Sequence, residues 1–226
     1  MRIGKYIANA GICSRRKAEE LIKNKEVKIN NCICINPATK INEKDIIKVS
    51  NKIIKINKKI RIWKLYKPIK YIVSNKDEKN RKTVFDLIPK NFPRLISIGR
   101  LDYMSEGLLL FTNNGDFARK LELPKSNYLR VYRVCIKNQI NKNHINKINK
   151  GIIINKIEYK KINISIEKST KEFIWLIVKL KEGKNREIRK IFEYFSWGII
   201  KLVRIQFGPY KLLKLKEGKI IEINKI

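Results

Sequence analysis

Histidine and patterned cysteine are scarce in this chain of 226 residues. His144 is the single histidine, and Cys13, Cys32, Cys34 and Cys135 form no C-x-x-C pair. Ser-His-Asp, Cys-His and histidine-based zinc chemistry therefore have little to draw on, and the cysteines read as reduced thiols of a cytoplasmic protein. Long apolar runs are also missing. Phe173–Val178 is among the longest, whereas a membrane span needs about 20 apolar residues. The opening Met1-Arg2-Ile3-Gly4-Lys5-Tyr6 has neither an apolar core nor a small-residue cleavage site, so no secretion signal is expected. No G-x-G-x-x-G or G-x-x-x-x-G-K-[ST] string occurs, which leaves a dinucleotide or P-loop site unsupported. Acidic residues are few: 20 Asp plus Glu face 53 Lys plus Arg, a formal charge of +33.

A hydrophobic share of 43% with 9% aromatics is that of a folded chain, not of a disordered polycation. Its length suits one large domain, or a small one beside a medium one. A charge of +33 repels itself in isolation and makes sense opposite a polyanion, which points to nucleic acid. The joint richness in Ile, Asn and Lys is a compositional bias that contributes to the same number.

Ile3, Ile7 and Ala10 have helical spacing, and Gly11 interrupts it. Ser14 caps a second helix with Ala18, Leu21 and Ile22 on one face. Arg15, Arg16 and Lys17 fall in its first turn, where cations oppose the helix dipole, so an external phosphate is a natural complement; a solvated basic face is the plainer alternative. Short strands at 27–29, 33–35 and 46–49 complete a first unit over 1–50, and 51–61 reads as a basic linker with one short strand.

From residue 62 the chain reads as mixed α and β. Strands are expected at 63–66, 71–74, 95–99, 107–112, 129–137, 152–154, 157–166, 173–180, 199–207 and 220–223. Helices are expected at 83–88, 115–121, 139–149 and 185–195. Adjacent strand pairs outnumber helices, which favours a mainly antiparallel α+β domain over 62–226. Between two apolar strands lies Gly99-Arg100-Leu101-Asp102, which would hold the Asp102 carboxylate at a sheet end with Arg100 nearby. Such an Asp can act as nucleophile or electrostatic anchor, or simply close a turn with the arginine.

Three strings go further. GRLDYMSEGLLLFTNNGDFARKL (99–121), LRVYRV (129–134) and EGKNREIRKIFEYF (182–195) resemble, in order, the signature elements of bacterial ribosomal RNA pseudouridine synthases of the RsuA/RluB type. Ser105 stands where that family more often has Thr, Asn114 where Asp is usual, and Arg130 in a Lys place. WKLYKPIKYIVS and RKTVFDLIP resemble the opening of the same catalytic domain. RIGKYIANAGICSRRKAEELIKNKEVKIN resembles the S4-type RNA-binding domain that precedes it. The resemblance implies a catalytic carboxylate at Asp102, a base-stacking tyrosine at Tyr132 and a cation at Arg189 that keeps Asp102 ionised. It also implies substrate contacts from Arg100, Arg186 and Ile188, and RNA contacts from Ser14, Arg15, Arg16 and Lys17. The reaction isomerises a uridine with no redox change, so no cofactor and no metal are expected.

The function expected is therefore conversion of a specific uridine in ribosomal RNA, 23S rather than 16S, by a cytoplasmic monomer. The partner would be ribosomal RNA or an assembly intermediate, with no membrane involved. The alternative is a non-catalytic S4-type RNA-binding factor in ribosome assembly.

Overall fold

The structure is a computed structural model that describes residues 1–137 and 140–224. The first position of the helix expected over 139–149, and the last two of the 62–226 domain, lie outside the described residues.

Two helices, α1 (Ile3–Asn9) and α2 (Arg15–Lys23), precede β1 (Val27–Ile29), β2 (Cys32–Ile33), β3 (Ile47–Val49) and β4 (Lys52–Ile53). The strands form one sheet in the order β2-β1-β3-β4. Asn30 and Asn31, at φ 49° and 70°, close the first hairpin, and Ser50 and Asn51, at 46° and 64°, close the last. Positive φ at both central residues matches the turn twist to the strands, and Asn tolerates it best after glycine. Ile3, Ile7, Ala18 and Ile22 are fully buried and pack on Val27, Ile47 and Ile54. Within the stretch expected as a linker with one short strand, β4 pairs with β3, Ile54 joins the first core, and 55–61 carry no helix or strand. At its other end, the Arg61 guanidinium bonds both oxygens of Glu222, at 2.7 and 2.5 Å.

The larger unit runs β5 (Ile62–Lys67), β6 (Ile96–Ile98), β7 (Glu106–Thr112), α3 (Gly115–Glu122), β8 (Arg130–Lys137), α4 (Lys142–Lys150), β9 (Ile152–Ile154) and β10 (Ile157–Tyr159). It continues through β11 (Asn163–Ser169), β12 (Phe173–Leu180), α5 (Glu187–Tyr194), β13 (Ile199–Phe207), β14 (Tyr210–Lys211) and β15 (Ile220–Ile223). The main sheet has the order β11-β12-β8-β13-β7-β5-β15, with β6 on β7 and β14 on β13. Among these pairs only β13 with β7 is parallel. The architecture is thus the α+β, mainly antiparallel one expected.

Every residue of β7 is buried, because both its faces are covered. Leu108 and Leu110 pack with Ile62, Ile98 and Leu121, while Leu109 and Phe111 pack with Trp63, Leu65 and Leu101. A third core joins Val134, Leu176 and Val178 of the sheet to Ile188, Ile191 and Phe192 of α5.

In the larger unit three expected elements differ. Residues 71–74 form no strand; a single parallel bridge joins Ile72 to Thr83, and Tyr71 and Val73 pack loosely on the core. The 83–88 helix is one 3-10 turn, Val84–Leu87, because Pro89 holds Ile88 extended. The expected strand 157–166 is divided, since the chain leaves β9 after Tyr159 and takes up β12 from Asn163.

Gly107 is where β7 meets β13. It has φ +100°, and a Cβ there would lie 2.4 Å from the Arg204 carbonyl oxygen. Gly107→Ala is expected to cost about 3 kcal/mol in urea unfolding. A loss under about 0.5 kcal/mol, the range of neutral surface changes, would contradict this account of the contact.

Candidate active site

One cavity of about 810 Å³ opens where β6, β8, α5 and β13 converge. Leu101 drops into the core beneath it, and the next residue, Asp102, lines the cavity. The following turn is closed by the Ser105 amide, which donates to the Asp102 carbonyl at 3.0 Å. Gly99, at φ +71°, makes the bend out of β6, and its amide donates to Glu122 Oε1 at 2.6 Å.

Two cations clasp this turn from opposite sides. Arg189, on the first turns of α5, places Nε 3.7 Å from Asp102 Oδ2. Its Nη2 donates to the Met104 carbonyl at 2.9 Å and to Ser105 Oγ at 3.2 Å. Burial lowers the Arg189 pKa, and Asp102 acts against that shift. Lys67, at the end of β5, is completely buried. Its Nζ donates to the carbonyls of Ser105 at 2.7 Å and Pro68 at 2.8 Å, with Tyr103 at 3.5 Å. Burial pulls the Lys67 pKa from 10.5 down to about 8, with Asp102 and Glu106 opposing the fall.

Tyr132 lies on β8, half-buried between two cores, and lines the same cavity. Ile188 is buried at its edge, and Arg100 and Arg186 are exposed at its rim. Arg186 caps α5 in the left-handed conformation at φ 52°. The structure therefore brings together Asp102, Tyr132, Arg189, Arg100, Arg186 and Ile188. It places Ser14, Arg15, Arg16 and Lys17 elsewhere, exposed at the start of α2. There Ser14 Oγ accepts from the Lys17 amide at 3.1 Å, and Lys17 pairs with Glu20 at 2.8 Å. Asp116 of the larger unit faces this basic end, 2.7 Å from Lys5 and 3.9 Å from Arg15. Part of the charge assigned to external phosphate is thus met within the chain.

Lys67, Arg130 and Arg204 also belong to the site and were not among the residues expected there. Arg204 is a cation interrupting the apolar run Leu202-Val203-Arg204-Ile205, which is a legible sign of an inward polar contact. Lys67 carries no such sign.

The chain belongs to the RNA pseudouridylate synthase family, whose model matches residues 61–194; the S4 domain model matches residues 1–47. It is 47% identical over 227 residues to an uncharacterised RNA pseudouridine synthase of Rickettsia prowazekii, covering 100% of this chain and 95% of that one. It is 37% identical to ribosomal large subunit pseudouridine synthase B of Bacillus subtilis, covering 98% and 91%. A crystal structure of a pseudouridylate synthase, 23% identical, shares the fold with a TM-score of 0.71 over 99% of this chain and 96% of that one. The protein is an isomerase acting on RNA.

Lys67 gives a pH dependence with a definite sign. Its folded pKa lies below its unfolded value, so from about pH 8 to 10.5 the folded state binds fewer protons and this group's contribution to stability rises with pH. The ammonium clasp is lost as the pH rises through about 8. Pseudouridine formation is expected to fall above about pH 8 with no matching fall in melting temperature attributable to Lys67. Lys67→Met is expected to be slower by about tenfold or more and to lack that alkaline limb. A wild-type rate flat to pH 9.5, or an unchanged limb in the variant, would refute the clasp.

Proposed function

We propose that the protein converts a specific uridine of ribosomal RNA, in the large-subunit 23S molecule, to pseudouridine, with Asp102 as the catalytic carboxylate. The observation that carries this reading is the approach of Arg189 to Asp102 at 3.7 Å inside a cavity that Tyr132 also lines. The reaction breaks the bond between ribose C1′ and uracil N1, forms one between C1′ and C5, and moves the C5 proton to N1. No atom is gained or lost. An ionised carboxylate stabilises the positive charge that develops on the ribose as the first bond breaks. Arg189 holds Asp102 charged and in place.

Uracil must leave its stack to reach this depth, at a cost of about a few kcal/mol. Tyr132 offers the extruded base a stacking face, and its hydroxyl is placed to take part in the transfer from C5 to N1, giving up its own proton as it accepts one. Ile188 closes the cavity edge against water, and Arg100 and Arg186 meet the flanking backbone at the rim. The basic start of α2, with Ser14, Arg15, Arg16 and Lys17, grips RNA outside the cavity and contributes the salt-dependent part of binding. The enzyme works as a cytoplasmic monomer on free rRNA or an assembly particle.

The test is carbodiimide primer-extension mapping of unmodified 23S and 16S rRNA incubated with the purified protein. The expected result is one new pseudouridine stop in 23S and none in 16S. Stops confined to 16S would overturn the subunit assignment. Firm rRNA binding with no stop in either would instead mark an RNA-binding assembly factor.

A further inference from the structure

Two guanidinium groups on the cavity wall have no carboxylate partner among the described residues. Arg204, on β13, is only 2% exposed. Its Nε donates to the Leu108 carbonyl at 2.8 Å, while Nη2 is buried and unpartnered. Arg130 opens β8 and donates through Nη1 to the carbonyls of Lys181 at 2.7 Å and Tyr128 at 3.2 Å. Both guanidinium carbons lie against the Phe207 ring, 5.4 Å from its centre for Arg204 and 4.8 Å for Arg130. The two like charges are close enough to act on each other.

None of the carboxylates that line the cavity forms an ion pair with either arginine among the described residues, although Glu187 acts on Arg130 at longer range. Asp102 faces Arg189, Glu122 accepts from the Gly99 amide, and Glu182 pairs with Lys184. Glu187 accepts from the Lys184 amide, and burial pushes its carboxyl towards the neutral form. Buried cations left uncompensated are costly, and a pair that repel each other more so. A neutral carbonyl of a base would leave both charges uncompensated; a singly charged oxyanion shared between them would offset one of the two and relieve their repulsion. Arg204 sits directly across the strand pair from Tyr132. An anion held there adjoins the nucleotide whose base lies on Tyr132, and in RNA the anion nearest a base is its own backbone phosphate.

We propose that Arg204 and Arg130 form a phosphodiester-binding site, which takes a phosphate flanking the extruded uridine and fixes the ribose against Asp102. This deepens the pseudouridine synthase reading of the same cavity and rests on it. The guanidinium fork suits the paired oxygens of a phosphodiester.

The experiment uses the full-length protein and a synthetic RNA spanning the mapped target. A neutral methylphosphonate replaces the phosphate on the 5′ and then the 3′ side of that uridine. In the wild type, one of the two replacements is expected to lower kcat/KM about tenfold or more. In Arg204→Gln the same replacement is expected to cost less than about twofold, because the partner charge is already gone. Arg130→Gln, at a half-buried position, repeats the comparison should Arg204→Gln fold poorly. Wild-type indifference at both positions overturns the site. So does an equal loss in variant and wild type, which would mean that the arginines act only on structure. If the wild type leaves the all-phosphate RNA unmodified, the enzymatic reading falls first and this site falls with it.

Discussion

The turn from Asp102 to Ser105 is the constraint on which the site depends. A short loop at a sheet end would ordinarily be among the softer parts of a protein. Here its carbonyls accept from Lys67 on the core side and from Arg189 on the cavity side. Each donor is anchored in regular structure, one at the end of β5 and the other on α5. The carboxylate is thereby held to a position set by the sheet and the helix together, which is what a group serving a short-lived transition state requires.

The cavity itself follows from how the sheet is assembled. β7 and β13 lie side by side in the one parallel pairing of the main sheet, made at Gly107 and Arg204. That contact draws the Asp102 turn, which leads into β7, close to the β13 and β8 residues that line the opposite wall. The close approach needs glycine, and the same position faces the backbone of the arginine whose side chain supplies charge to the wall. Fold and electrostatics meet at one residue pair.

Much of this was legible in the sequence, for physical reasons. The apolar runs into Gly99 and out of Ser105 define a loop between strands, whereas Tyr132 and Arg189 stand out only through the resemblance of LRVYRV and EGKNREIRKIFEYF to family elements, since neither periodicity nor spacing singles them out. Other features depend on partners that periodicity cannot see. Residues 71–74 alternate like a strand, yet only Ile72 finds a bridging neighbour. Lys67 ends an apolar strand and looks like the first solvated residue after it, whereas three backbone carbonyls surround its ammonium. The Arg130 and Arg204 pair becomes a pair only when β8 and β13 align. The internal partner of the basic α2 start, Asp116, lies about a hundred residues away in the chain, beyond any local reading.

In the proposed reaction the negative charge on Asp102, at this fixed place, drives the isomerisation. Single-turnover pseudouridine formation by Asp102→Asn tests it most directly, because asparagine keeps the shape and removes the charge. The expected result is no product above background, with RNA affinity and melting temperature close to those of the wild type. Product formed at the wild-type rate would contradict the claim.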